Sequence, residues 1–336
     1  MEFQVNFPML FRRAGEFSPQ ARGPFSFARS LVMPSPSTLA GCLATARRNF
    51  GGVKGGWDEA VVKALGLEGG FLRGPYLLDG DDVYIGVERK EAVGLLNLKD
   101  LERYVKLSLS RESSESQFSE LIKPVRTTSR LGIGLKSRKE GKTVNRDKGL
   151  MYRVELVDYP ATFGKESVRI GMDIHGADLG LQNAVCRLGG EGKVSRVQVL
   201  EGHVLWPRVE KVRPKHKLCL CLLTYALLKE VPRTIGEIES GCYLFPDLFT
   251  GVQQLIVELT NHQASVESVV GELTLFGVGY DMRGRRKPSY VALKPGSVIE
   301  LRVNSSFDLT KLYENGITVK GGQIGYGTFL SVVMES

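Results

Sequence analysis

Histidine is scarce in this chain, with four among 336 residues, and only two tryptophans occur. The five cysteines, Cys42, Cys186, Cys219, Cys221 and Cys242, are odd in number and scattered. No C-x-x-C pair or partnered histidine motif accompanies them, so the spacing excludes the common structural zinc modules. Cys219 and Cys221 alternate within an apolar, strand-like run and read as small core residues. No segment reaches the eighteen or so apolar residues that a membrane-crossing helix needs. The first residues, MEFQVNFPMLF, lack a basic region followed by an apolar one and read as a strand, not a signal peptide. The expectation is a cytoplasmic chain with no membrane contact. GxSxG and HExxH motifs are absent. Gly141-Lys142-Thr143 resembles the end of a P-loop, but position 136, where the first glycine belongs, is Lys136. No metal and no cofactor is expected.

What the sequence does have is local positive charge. The net charge is +8. Residues 123–153 hold ten Lys or Arg against two acids, an excess of eight that equals the net charge of the whole chain. The remainder is about neutral. This segment is rich in glycine and poor in large apolar residues, so it reads as a long loop or extended hairpin. Arg126, Arg130, Lys136, Arg138, Lys139, Lys142 and Arg146 would suit a phosphate-gripping arm, since cations on such an arm release counterions from a polynucleotide. A solvated basic loop is the plain alternative. Arg283, Arg285, Arg286 and Lys287 form a second cluster on an expected hairpin tip, and Arg47 and Arg48 a third at a helix end.

The chain makes one move twice. A glycine turn runs into a strand at 188–200 and again at 321–333. Helices are expected over STLAGCLATARRNF, with Ser37 or Thr38 as cap, over LNLKDLERYVKLSL, over GADLGLQNAVCRL and over DLTKLYEN, capped by Asp308 and stopped by Gly316. Residues 279–301 fall within a stretch expected to give two strands around a basic turn. Each half can be laid out as strand, helix, strand, strand, helix, glycine turn, strand. The expected fold is therefore α+β: two ferredoxin-like (β-α-β-β-α-β, RRM-like) domains, with a long basic loop or hairpin inserted in the first. The domains would be 1–204, carrying the arm 123–153, and 205–336, ending in the second glycine loop. Residues 230–272 resist assignment.

Gly189, Gly190 and Gly192, with Lys193, and Gly322, Gly325 and Gly327 could turn backbone N–H groups toward phosphates. Tyr326 could stack on a base. Tight turns at positive φ, and a core position for Tyr326, are the alternatives.

Four ordered elements carry a family resemblance: GLMYRVELV (149–157), CRLGGEGKVSRV (186–197), GYDMRGRRKPSYVALKPGSVIEL (279–301) and GGQIGYGTF (321–329). Together they resemble the RAMP superfamily of CRISPR RNA-binding proteins, and within it the third subunit of the Cmr (type III-B) effector complex. Lys193 and Tyr280 stand where that family usually has arginine and tryptophan. The resemblance implies a non-catalytic subunit that holds the 5′ tag of the CRISPR RNA. It also implies contact with the large Cas10-type subunit and the backbone RAMP subunits, with target RNA nearby. The competing expectation is a metal-independent RAMP endoribonuclease that processes CRISPR repeats. Its acid/base would be His175, between Asp173 and Asp178, which otherwise reads as part of a helix-start cluster.

Overall fold

Phe3 and Val5 point into the core from the opening strand Glu2–Val5 while Gln4 faces out, the alternation of a half-buried strand. This strand sits inside an eight-stranded antiparallel sheet. The order is Val185–Arg187, Val194–Gln198, Glu2–Val5, Val168–His175, Phe71–Asp79, Asp82–Glu88, Val93–Asn97, Ile122–Lys123. The computed structural model describes residues 1–12, 26–47, 56–110, 112–133, 151–190, 193–206, 211–214, 217–231, 247–279 and 287–334.

A second antiparallel sheet runs Ala264–Val270, Val298–Val303, Lys217–Leu222, Phe329–Met334. Take Glu2–Val5, Phe71–Asp79, Val168–His175 and Val194–Gln198 as the first to fourth strands of one half, and Lys217–Leu222, Ala264–Val270, Val298–Val303 and Phe329–Met334 as those of the other. Both sheets then carry the order fourth, first, third, second. The glycine turns at 188–193 and 321–327 each lead into the fourth strand. Two three-stranded sheets, one of Ala226–Val231, Ser289–Leu293 and Leu273–Gly277 and one built on the basic arm, complete the main framework. The architecture is thus mixed α/β, mostly antiparallel strand with few helices. Both core clusters draw on both halves of the sequence. Tyr225, Phe276 and Tyr326 pack with Phe3, Leu43 and Ile170, and Ile85 and Tyr104 pack with Leu220 and Ile299.

The helix Pro36–Arg47 buries Leu39, Cys42 and Leu43 as the spacing predicts. It begins one step earlier than Ser37, with Pro36 at the first helical position, where its missing N–H is not needed. The helices Leu101–Leu109 and Leu309–Asn315 also lie where expected, and Asp308 caps the second by accepting from Thr310 N–H at 2.9 Å. Residues 176–184 are not helical. Gly176, Gly180 and Asn183 take positive φ, and Asp178 Oδ1 accepts from Gly180 N–H at 2.9 Å, a local turn that a right-handed helix cannot pass through. The stretch after residue 272 holds three strands, not two. Leu273–Gly277 pairs with Ser289–Leu293, and a turn at Gly296 sends Val298–Val303 into the other sheet. Within 230–272, Asp247 caps the helix Leu248–Leu259, which leads to the strand Ala264–Val270. Among the described residues no helix is long and apolar enough to cross a membrane.

Cys219 and Cys221 keep the core reading, but two other cysteines are bonded to each other. Cys42 on the first helix and Cys186 on the edge strand are joined in a disulfide across 144 residues, while Cys219 and Cys221 are free and buried. Closing so long a loop restricts the unfolded chain. Reduction, or Cys42→Ala, is expected to lower stability by about 2–5 kcal/mol, read as a drop in melting temperature with and without dithiothreitol.

Candidate nucleic-acid interface

The two described ends of the basic arm pair as the stem of a hairpin. Thr127–Ile133 pairs antiparallel with Met151–Val157 in continuous register, from Thr127 opposite Val157 to Ile133 opposite Met151. Ser26–Arg29 adds a parallel strand on the other side. Arg126 and Arg130 are exposed near the root and on the stem, and Arg153 donates to Ser129 Oγ at 2.9 Å. Lys136, Arg138, Lys139, Lys142 and Arg146 lie outside the described residues, as do Arg48, Gly192, Arg283, Arg285 and Arg286.

Residues 9–12 connect this arm to the first glycine turn. Met9 and Val157 exchange backbone hydrogen bonds of 2.8 and 2.9 Å, which ties the strip to the stem. On its other side Gly190 N–H donates to Leu10 C=O at 2.8 Å. Gly189 has φ +73°, and a Cβ there would come within 2.9 Å of the same carbonyl. The glycines therefore let two backbones approach closely. Gly190 spends its N–H on Leu10, so it does not offer that group to a phosphate. Leu188 N–H closes the turn on Lys193 C=O at 3.0 Å. The Lys193 ammonium lies 5.1 Å from the ring centre of the exposed Phe7.

Where the turn, the strip and the Pro36–Arg47 helix meet, an open cavity of about 350 Å³ remains. Arg12, Thr38, Thr45, Arg187 and the glycine pair line it, and Cys42, half of the disulfide, lies in its wall. Both arginines are exposed. A guanidinium presents a planar fork of donors that fits phosphate oxygens, and two of them beside hydroxyls and a tight backbone make a setting for an anion. Neither Arg12 nor Arg187 was among the residues singled out from the sequence. The signal was faint: Arg187 precedes the glycine turn directly, but only the fold brings Arg12 beside it.

The second glycine loop turns inward. Gly325, Tyr326 and Gly327 are buried, and Tyr326 is fully enclosed. Its hydroxyl pairs with Ser37 Oγ at 2.9 Å and its ring meets Trp57 and Phe276 edge-on, so it is a core aromatic with no face for a base. Burial pushes the Tyr326 phenol up to about 12. Three of the loop amides are occupied as well. Gly325 N–H donates to Gly322 C=O at 3.0 Å, Tyr326 N–H to Gly321 C=O at 3.2 Å and Gly327 N–H to Tyr225 C=O at 3.0 Å. The fully buried Arg73 donates to Gly322 C=O at 2.7 Å and to Tyr313 C=O, with its guanidinium 4.5 Å from the Phe71 ring centre. Desolvation lowers its pKa to about 10, which still leaves it charged at neutral pH. These glycines lock the end of the chain onto the first half. Tyr326→Phe is expected to cost about 1 kcal/mol in a denaturant melt, the worth of one hydrogen bond, and to leave RNA affinity unchanged.

Two further cations are engaged inside the fold. Arg47 donates to Leu65 C=O at the end of the helix Trp57–Leu65, a structural clasp. Lys287 N–H donates to Gly279 C=O at 2.9 Å, and its ammonium sits 5.7 Å from the centre of a Trp57 ring. His175 ends a strand and is not part of a helix start. It is 6% exposed, stacked between Phe71 and His203, and burial pushes its pKa down to about 3.

Comparison with known proteins gives the class of fold. A chain of the cryo-EM structure of the type III-B Cmr-beta complex bound to cognate target RNA matches over 98% of this chain and 96% of its own, with TM-score 0.64 and 18% identity. A chain of the same complex bound to cognate target RNA and AMPPnP matches over 98% of both, with TM-score 0.63 and 18% identity. The fold is that of a type III-B Cmr complex chain. In sequence, 58 residues are 38% identical to the CRISPR system CMR subunit Cmr3 of Saccharolobus solfataricus, spanning 17% of this chain and 18% of that one. No protein-family model matches the chain.

Proposed function

We propose that this chain is a non-catalytic RNA-binding subunit of a type III-B CRISPR effector. It holds the 5′ tag of the CRISPR RNA and bridges the large Cas10-type subunit to the backbone RAMP subunits, close to the target RNA. In this reading its two halves are related ferredoxin-like units, supported by the strand order that both sheets share. The observation that carries the proposal is the joining, through residues 9–12, of the root of the basic arm, the 188–193 glycine turn and the cavity edged by Arg12 and Arg187. The full-length likeness to chains of Cmr-beta complexes and the short Cmr3 match support the same assignment. Repeat cleavage by His175 fits poorly. A buried imidazole with a pKa near 3 is uncharged at neutral pH and a weak base, so it suits neither acid nor base work, and His203 covers one face.

The test is titration of the purified chain with a fluorescent CRISPR RNA carrying its 5′ tag, against a scrambled tag, over a range of salt, with the same samples run on a denaturing gel. The expected result is salt-sensitive, tag-preferring binding with intact RNA. Cleaved RNA, or equal affinity for both tags, overturns the assignment.

A further inference from the structure

The end of the Val168–His175 strand carries a cluster that RNA binding leaves unused. Asp173 and His175 are two residues apart and so share one face of the strand. They are 2% and 6% exposed. Residues 202–206 fold over that face because Asp173 Oδ2 accepts the N–H groups of Val204 and Leu205 at 2.8 and 2.7 Å. The same grip brings the exposed His203 over His175, with ring centres 4.0 Å apart. Among the described residues Asp173 Oδ1 accepts the Tyr76 hydroxyl alone, at 2.7 Å, which leaves it a lone pair. One ligating atom from each of Asp173, His175 and His203 lies within 4.8 Å of the other two. His175 Nε2 is buried with no hydrogen-bond partner among the described residues. Such an orphan in a native fold asks for an explanation, and a bound ion is one of the few.

We propose that Asp173, His175 and His203 form a binding site for a divalent transition-metal ion of the zinc type. Two imidazoles and a carboxylate are a donor set that zinc and cobalt accept, with a fourth position left to solvent on the exposed side of His203. Tyr76 orients the carboxylate, the outer-sphere support that such sites use. The two rings are stacked with 16° between their planes, and an ion held by both must lie near the plane of each. His203 therefore turns about its side-chain torsions to bind. Its exposure allows that movement, while His175 stays fixed on Phe71. The ion would clamp the 202–206 segment to the strand and so pin the join between the two halves of the sequence.

Tag-free, full-length chain is titrated with cobalt(II) chloride and followed by visible absorption, then with zinc chloride in competition. His203→Ala removes an exposed ligand without disturbing the core, and His262→Ala removes an exposed histidine elsewhere. The expected result is one cobalt per chain, displaced by zinc, with affinity at least about tenfold weaker in His203→Ala and unchanged in His262→Ala. No uptake by the parent chain overturns the proposal. Uptake that survives His203→Ala, or that falls equally in both variants, also overturns it.

Discussion

Replacing Arg12 and Arg187 together by alanine is expected to weaken binding of tagged CRISPR RNA roughly 50-fold. Each guanidinium–phosphate contact contributes about 1–1.5 kcal/mol net, and two such losses combine to about that factor. The salt dependence should change with it. Every phosphate contact on a single strand adds about 0.7 to the slope of log affinity against log salt, so the double variant should lose about 1.4 from that slope. Both side chains are exposed at the rim of the cavity, so the fold should tolerate the change. The measurement is fluorescence anisotropy between about 50 and 200 mM salt, the range over which such contacts express themselves. An unchanged slope would separate the cavity from the RNA.

The second large effect concerns stability. Gly327→Ala is expected to destabilise the chain by about 2–5 kcal/mol, a large share of the stability of an ordinary domain. Gly327 has φ +66°, where an L side chain costs about 1–2 kcal/mol. A Cβ there would also lie 2.4 Å from the Ile317 carbonyl oxygen and 2.5 Å from its carbon. That obstacle is backbone, and Ile317 N–H is itself bonded to Gly327 C=O at 2.9 Å, so the neighbour cannot move away without losing a hydrogen bond. Overpacking of this kind adds about 1–3 kcal/mol. Gly80→Ala is the control: its φ is +63°, but a Cβ there meets nothing within 4 Å. It should cost only the left-handed penalty of about 1–2 kcal/mol. Urea melts of the two variants separate crowding from backbone strain, and equal losses would contradict the account of the closing loop as a lock.

The contrast between the two glycine turns marks where sequence reading stops. Glycine signals a backbone that needs freedom, and both turns lead into a fourth strand as their repetition suggests. The sequence does not say which way a turn faces. Gly189 and Gly190 line an open cavity with Arg187, whereas the 321–327 turn faces Arg73, Tyr225 and Ser37. Tyr326 looks the same in sequence whether it greets a base or a core. Local signals fared best where chemistry is local, with Asp308 capping a helix and Gly316 ending it, whereas Ser37 and Thr38, expected as caps, lie inside a helix that Pro36 opens. They failed at 176–184, where apolar spacing suggested a helix but Gly176, Gly180 and Asn183 take left-handed conformations. Long-range partners were out of reach. Cys42 and Cys186, or Asp173 and His203, meet only because a sheet and a loop carry them together. The arm reads in sequence as a long loop or extended hairpin because it is rich in charge and glycine, and the strands that flank residues 134–150 do pair as a hairpin stem.

The central claim is that RNA lies along the arm, the strip 9–12 and the cavity beside the first glycine turn. Photocrosslinking of the intact chain to a thiouridine-bearing 5′ tag, with the attached peptides identified by mass spectrometry, tests it most directly. The account predicts crosslinks in peptides covering residues 9–12, 126–153 and 187–193, and none in 321–327. Crosslinks confined to the 321–327 loop or to the surface around Trp206, with the first three regions silent, would contradict it.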